Sequence, residues 1–275
     1  RCCSSAASDV YKRQEHLTAA SSATGRLTKL RASINERGLI EALDYDQIDD
    51  VGAYPRAPEP ASLYRMHGNL SGAYKVKNIR CRNRVVLTNK TPSGLNRGFG
   101  GPQHYFALER LVHQIAVELD LNVLDVIKVN LLEKKQFPYK SPSGALLDSG
   151  DFQKLVRKVV KSSTYKNILK KKNNAIKNGK IYGIGYSAII EPSISNMGYV
   201  TTALPYKDRE KTGHKGGALA STSVSIGPTG SVYVTCDSLP QGQGHKTILC
   251  QIVADVFGIK INDVFVNTTH DTHKD

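Results

Sequence analysis

Nowhere in the 275 residues is there an apolar run of about 18 residues, so no segment is long enough to cross a bilayer as a helix. The first residues lack the apolar core of a secretory leader, and none is expected. Cysteine is scarce: Cys2, Cys3, Cys81, Cys236 and Cys250, with no C-x-x-C spacing. Neither a zinc site nor iron–sulfur ligation is signalled. The thiols read as small buried or free groups in a reducing, cytoplasmic compartment. Apolar residues make up 40% and charged residues 23%, the balance of a globular chain and not of a solvated tail. The length suits one large domain or two ordinary ones.

Acidic residues are few, and the net charge is +14. Its distribution argues against a nucleic-acid surface. Residues 151–180 hold ten Lys or Arg and one acid, Asp151, and so supply +9 of that total. Only Tyr165 interleaves an aromatic ring. A local lysine-rich helix of this kind reads as a solvated face, and neither nucleic acid nor membrane is expected as a partner.

Several elements announce themselves. Strand-like pieces within Leu27–Leu43 flank a turn at Glu36-Arg37-Gly38. Val85–Thr88 reads as a strand. The stretch Asn96–Gln103, NRGFGGPQ, leads into a helix from Pro102 to about Asp120, with proline suited to a first turn whose N–H groups lack intrahelical partners. Leu108, Leu111, Ile115 and Leu119 fall on one face of it. Asn122 is a good N-cap for a second helix. Pro138–Gly150 reads as a loop and Asp151–Lys172 as one basic helix. Ile181–Ile190, Ala218–Ile226 and Ser231–Thr235 read as strands, the last two joined by a turn at Gly227–Gly230. A further helix, Thr247–Phe257, stops at Gly258, a natural residue to follow a helix end.

The order of strand, glycine loop and helix occurs twice. Val85–Thr88 leads through NRGFGG to the first helix. Val232–Thr235 leads through Gln241-Gly242-Gln243-Gly244 to the last. Glycine lets backbone N–H groups approach a ligand closely, and a helix N-terminus favours an anion. Neither loop has the G-x-G-x-x-G or Gly-Lys-Ser/Thr spacing of a phosphate fingerprint, so ordinary tight turns remain open on spacing alone. Gln243 stands between glycines with an amide that can donate and accept toward a heterocycle edge; it can equally close its own loop.

Thr88–Leu111, TNKTPSGLNRGFGGPQHYFALERL, closely resembles the molybdenum-binding large subunit of the xanthine dehydrogenase, aldehyde oxidase and carbon monoxide dehydrogenase family of molybdenum hydroxylases. The likeness extends to Glu15–Arg26, Pro138–Phe152, Gly183–Tyr199 and Gln241–Ile259. The resemblance implies an α+β fold, with mixed sheets, packed helices and parts of two molybdopterin-binding subdomains. It implies residues 15–137 in the first subdomain, 138–180 as connecting loop and basic helix, and 181–275 in the second. Residues 1–14, RCCSSAASDVYKRQ, stand outside it and are expected to be foreign to the natural protein, of the kind left by a sequencing adapter.

The resemblance, and nothing in composition or spacing, also implies a chemistry and a set of site residues. The implied cofactor is a molybdenum–molybdopterin, often in the cytosine dinucleotide form, which supports hydroxylation of an activated carbon with oxygen from water. Electrons pass to iron–sulfur clusters and FAD on partner subunits, so a hetero-oligomer is expected. Arg97 falls at the family's arginine beside the metal, its backbone amide facing the metal's ligands, with Gly98 next to it. Phe99 falls at the substrate-stacking ring. Gln243, with Gly242 and Gly244, falls at the pterin-contacting G-Q-G loop. Tyr186 and Ser187 fall where some xanthine-oxidising members place a second aromatic and a threonine, and Arg65 where they place a substrate-orienting arginine. The general-base glutamate is expected beyond residue 275 and another glycine-rich segment before residue 15, which makes the chain an internal piece expected to be inactive alone. Reductive dehydroxylation of an aromatic thioester, done by one branch of the family, and a non-catalytic member are the alternatives.

Overall fold

The structure, a computed structural model, describes residues 25–55, 66–94, 98, 100–190, 221–238, 240 and 242–268. Residues 1–24, Arg65, Leu95–Arg97, Phe99, Glu191 and Gln241 lie outside these. The described residues fall into two compact units, 25–190 and 221–268.

In the first unit, β1 (Gly25–Ile34) and β2 (Ile40–Asp50) form an antiparallel hairpin, and β3 (Asn78–Val86) joins β2 in parallel. The reversal is local chemistry. The Asn35 side-chain oxygen accepts from the Arg37 and Leu39 amides at 3.0 and 3.1 Å, while Gly38 takes a left-handed φ of 73°. The turn expected at 36–38 is therefore present. β2 alternates cleanly: Leu43, Tyr45, Gln47 and Asp49 are buried, and Asp44, Asp46 and Asp50 point outward to Arg80, Arg84 and Lys90.

Helix α1 (Gly101–Glu118) lays Leu108, Val112 and Ile115 onto a core with Ile40, Leu43, Tyr45 and Tyr74. Helix α2 (Val123–Asn130) is capped by Asn122, whose side chain accepts from the Leu124 amide, as its position in the sequence indicated. Asn130 is fully buried and satisfied. It accepts from the Ile40 amide and donates to the Gly38 and Val126 carbonyls, each at 2.8 Å, which ties α2 to the hairpin.

Three expectations are corrected. The 138–150 loop contains a short ladder, β4 (Tyr139–Lys140) with β5 (Leu146–Leu147). The basic helix is two, α3 (Phe152–Lys161) and α4 (Ser163–Lys177). Ser162 breaks it: held extended, it accepts from the Tyr165 amide as the cap of α4, a local bond that competes with helix continuation. Residues 181–190 alternate between exposed and half-buried like a strand, yet join no sheet among the described residues. They pack with Tyr186, Ala188 and Ile190 against the first core.

The second unit is β6 (Thr222–Ile226), β7 (Val232–Cys236), α5 (His245–Phe257) and β8 (Val264–Asn267). β6 and β7 form the expected hairpin and β8 lies parallel to β7. Its core is Val232, Val234, Val253, Ala254 and Val264. Both units are α+β. No helix among the described residues is long and apolar enough to cross a membrane.

Candidate cofactor-binding loops

The first glycine loop is anchored before it begins. The Thr88 hydroxyl donates to Asp50 at 2.6 Å, and the Thr88 and Ser93 amides donate to the Gly52 and Val51 carbonyls, each at 2.9 Å. Gly52 has a φ of 76°, and a Cβ there would collide with the Thr91 backbone, so only glycine lets these segments meet. Lys90 pairs with Asp50 at 2.6 Å, and its ammonium, with the Thr88 hydroxyl, holds the Asp50 carboxyl down at about 2.

Gly98 and Gly100 then take φ values of 80° and 79°. The Gly101 amide closes a turn on the Gly98 carbonyl at 3.0 Å. α1 starts from Gly100 with no side-chain cap, with Pro102 in its first turn and with no acid there. In the second unit, Gly242 and Gly244 take φ values of 91° and 75°. α5 starts from Gly244, again with no side-chain cap and no acid in its first turn. Gln243 is exposed between the two, and a Cβ on Gly244 would meet nothing within 4 Å. The left-handed backbone, not lack of space, is what calls for glycine at 244.

The two loops thus share one chemistry. A left-handed glycine hands the chain to a helix whose first turn offers a partial positive charge and no competing carboxylate. That charge fits an anionic, phosphate-bearing organic cofactor; at α1 it comes from the helix dipole, since the Gly101 amide is taken by the Gly98 carbonyl and Pro102 has no N–H. Among the described residues, no group of three or more His, Cys, Asp or Glu could hold a metal ion.

Two family models described as molybdopterin cofactor-binding domain match residues 5–131 and 158–275. The chain belongs to the molybdopterin cofactor-binding family. It is 26% identical over 261 residues to the nicotine 6-hydroxylase large subunit of Paenarthrobacter nicotinovorans, covering 94% of this chain and 31% of that protein. It is 28% identical over 266 residues to the carbon monoxide dehydrogenase large chain of Afipia carboxidovorans, covering 94% and 32%. Among solved structures, quinoline 2-oxidoreductase from Pseudomonas putida 86 matches with a TM-score of 0.71 at 28% identity, over 93% of this chain and 32% of that one. The chain spans about a third of the length of these relatives. By name they are oxidoreductases: a hydroxylase, a dehydrogenase and an oxidoreductase.

Of the residues that the family motifs single out, Gly98, Gly242, Gln243 and Gly244 are described and stand in the two loops. Arg97, Phe99 and Arg65 lie outside the described residues. Tyr186 is placed beside His113, whose Nε2 is 2.7 Å from the Tyr186 carbonyl. His113 is twelve residues from Gly101, roughly 18 Å along the helix axis. The structure therefore sets Tyr186 and Ser187 about three turns from the glycine loop. The Tyr186 hydroxyl meets that of Tyr165 at 3.2 Å in an apolar cavity of about 420 Å³ that also involves Phe152 and Val156.

Sequence reading passed over the polar layer beneath α1. Arg26 binds Asp49 through two bonds, 2.5 and 2.8 Å, with both side chains almost wholly buried. His104 is fully buried against the rings of Tyr45 and Tyr105, and neither ring nitrogen has a hydrogen-bond partner among the described residues. Burial, aided by the Arg26 charge, pushes its pKa from 6.5 down to about 4. A nearby Leu70 backbone group acts the other way without meeting hydrogen-bond geometry, and burial wins.

His104 makes the fold sensitive to acid. A histidine with a depressed folded pKa stabilises the fold fully above its unfolded pKa of 6.5 and loses that contribution as pH falls toward 4. The loss is about 3 kcal/mol across that window. His104→Leu is expected to flatten this part of the stability–pH curve while holding or raising stability at pH 7, since an unpartnered polar group leaves the core. Denaturant unfolding of both proteins across the window measures it; parallel curves would refute the assignment.

Proposed function

We propose that the chain forms part of the molybdopterin site of a molybdenum hydroxylase large subunit, acting on an aromatic heterocycle, aldehyde or similar carbon centre. The observation that carries this reading is the repeated helix start: two left-handed glycine entries, uncapped and free of acid, in a chain of the molybdopterin cofactor-binding family. When bound, the cofactor would supply two-electron redox chemistry and a polarised oxygen.

The chain's own residues would bind and orient. The backbone amides of Arg97 and Gly98 would face the anionic ligands of the metal. Gly242, Gln243 and Gly244 would hold the pterin, with the Gln243 amide matching a ring edge that both donates and accepts. Phe99 would give the substrate a flat wall and keep water from one face of it. Arg65 would orient the substrate's polar end. Ser187 would serve substrate only at a distance from the loop, in a groove along α1, and Tyr186 only from the core side of the same segment.

Glu109 is not available as the general base. It is buried, accepts from Tyr74 and the Ala188 amide, and burial pushes its carboxyl up from the usual range. Iron–sulfur and FAD subunits, a cytosine dinucleotide form of the cofactor and a cytoplasmic setting complete the reading. The names of the relatives as large subunit and large chain favour a multi-subunit assembly.

Gln243→Ala in the intact protein is expected to weaken cofactor retention by about 1–3 kcal/mol, the cost of an unsatisfied buried partner. Metal analysis and pterin fluorescence of the purified variant read this directly. Wild-type molybdenum and pterin content would remove Gln243 from the site.

A further inference from the structure

Residues 181–190 have the alternation of a strand but no strand beside them among the described residues. Backbone N–H and C=O groups buried beside a core need partners. In an extended chain, those of every second residue point to the same edge. Here the edge of Tyr186, Ala188 and Ile190 faces α1, and side chains of α1 take the place of a neighbouring strand.

The rungs come from successive turns. The Tyr105 hydroxyl donates to the Ile190 carbonyl. Glu109 accepts from the Ala188 amide at 2.9 Å. His113 Nε2 lies 2.7 Å from the Tyr186 carbonyl and 3.3 Å from the Tyr186 amide nitrogen. Four helical residues rise about 6 Å and two extended residues about 6.6 Å, so the two spacings agree over three rungs. The rungs are themselves held: Asn69 donates to the Tyr105 hydroxyl at 3.0 Å, and the Tyr74 hydroxyl lies 3.0 Å from both Glu109 oxygens. Tyr105 and Glu109 are both buried.

We propose that Tyr105, Glu109 and His113 are positioning residues: α1 serves as the ladder partner of the Gly183–Ile190 strand and sets its register against the glycine loop at the helix's own N-terminus. This rests on the reading of that loop as part of the catalytic site. The outward residues Ser187 and Ile189, with Pro102 and Phe106, line a groove of about 400 Å³ along α1. That groove starts beside the loop, and the ladder fixes its second wall. The ligand class it suits is a flat, mostly apolar substrate whose outer part lies along Phe106. A slip of one rung would shift Ser187 by about 6.6 Å and change the groove without touching the cofactor contacts.

The test uses the intact, cofactor-loaded protein with Glu109→Ala, Glu109→Gln and Tyr105→Phe. Hydrogen–deuterium exchange is followed over residues 183–190, and kinetics with an aromatic heterocycle. Glu109→Ala and Tyr105→Phe are each expected to speed exchange there about tenfold and to raise KM about tenfold, the loss of one net hydrogen bond. kcat and molybdenum content should stay within about twofold of wild type. Glu109→Gln should restore both readouts, because its carbonyl still accepts from Ala188 and its amide can meet Tyr74. Wild-type exchange in both disrupted variants would overturn the ladder. Faster exchange with unchanged KM, or a loss confined to kcat and metal, would overturn its positioning role. Wild-type protein purified without molybdopterin would instead overturn the site reading, and the exchange arm would still decide the ladder.

Discussion

Asp49→Ala is expected to destabilise the first unit by about 3–5 kcal/mol, because it leaves the buried Arg26 guanidinium without its carboxylate. The two side chains are 1% and 0% exposed, so water cannot replace the lost partner cheaply. Two parallel bonds, 2.5 and 2.8 Å, set the geometry, and Asn83 adds a third to the same carboxylate at 3.2 Å. The pair also joins β1 to β2 where the register sets Arg26 opposite Asp49. In melting temperature the change is roughly 10 °C for a unit of this size. Asp49→Asn keeps the shape and one acceptor, and should lose clearly less. Thermal unfolding of the three proteins decides it. A shift under about 2 °C for the alanine variant would mean that the guanidinium is satisfied without Asp49.

Phe99→Ala, in the intact enzyme, should lower kcat/KM for an aromatic substrate on the order of a hundredfold. Part of the loss is face contact, worth about 0.5–1.5 kcal/mol beyond area burial. The rest is misplacement of the reacting carbon, since an error of about 1 Å can cost that much rate. A small aliphatic aldehyde has no ring to stack and should lose far less. Metal content should hold, because the proposal gives the contact with the metal's ligands to the Arg97 backbone and not to the ring. If Phe99 is a core residue instead, the variant loses roughly 3–5 kcal/mol of stability and every substrate suffers alike. Melting curves beside kinetics on the two substrate types separate these outcomes.

The features legible in the sequence are those that neighbours in the chain decide. Pro102, Asn122 and Gly258 mark helix ends, and the structure has helices starting at Gly101 and Val123 and ending at Phe257. Asn35–Gly38 and Gly227–Gly230 are turns whose bonds lie within a few residues. The repeated order of strand, glycine loop and helix is also legible, as is the family likeness, because both rest on residues in chain order. The break at Ser162 escapes sequence reading although its cause is local. A serine can sit inside a helix or cap the next one, and composition does not choose between them.

The remaining features depend on partners far apart in the chain. Arg26 and Asp49 are 23 residues apart, and nothing near either one marks it for burial. His104 looks like any polar residue in a first turn until Tyr45, from β2, closes over it. Tyr105, Glu109 and His113 form a polar stripe at four-residue spacing, visible in the sequence only as the edge of an apolar face. The strand they hold lies more than seventy residues on. Sequence by itself determined the local elements, the glycine entries and the family, since backbone preference and motif order act over short range. Tertiary structure alone decided which polar groups are buried and which backbone edge α1 pairs with, because hydrogen bonds and burial are settled by whatever folding brings alongside.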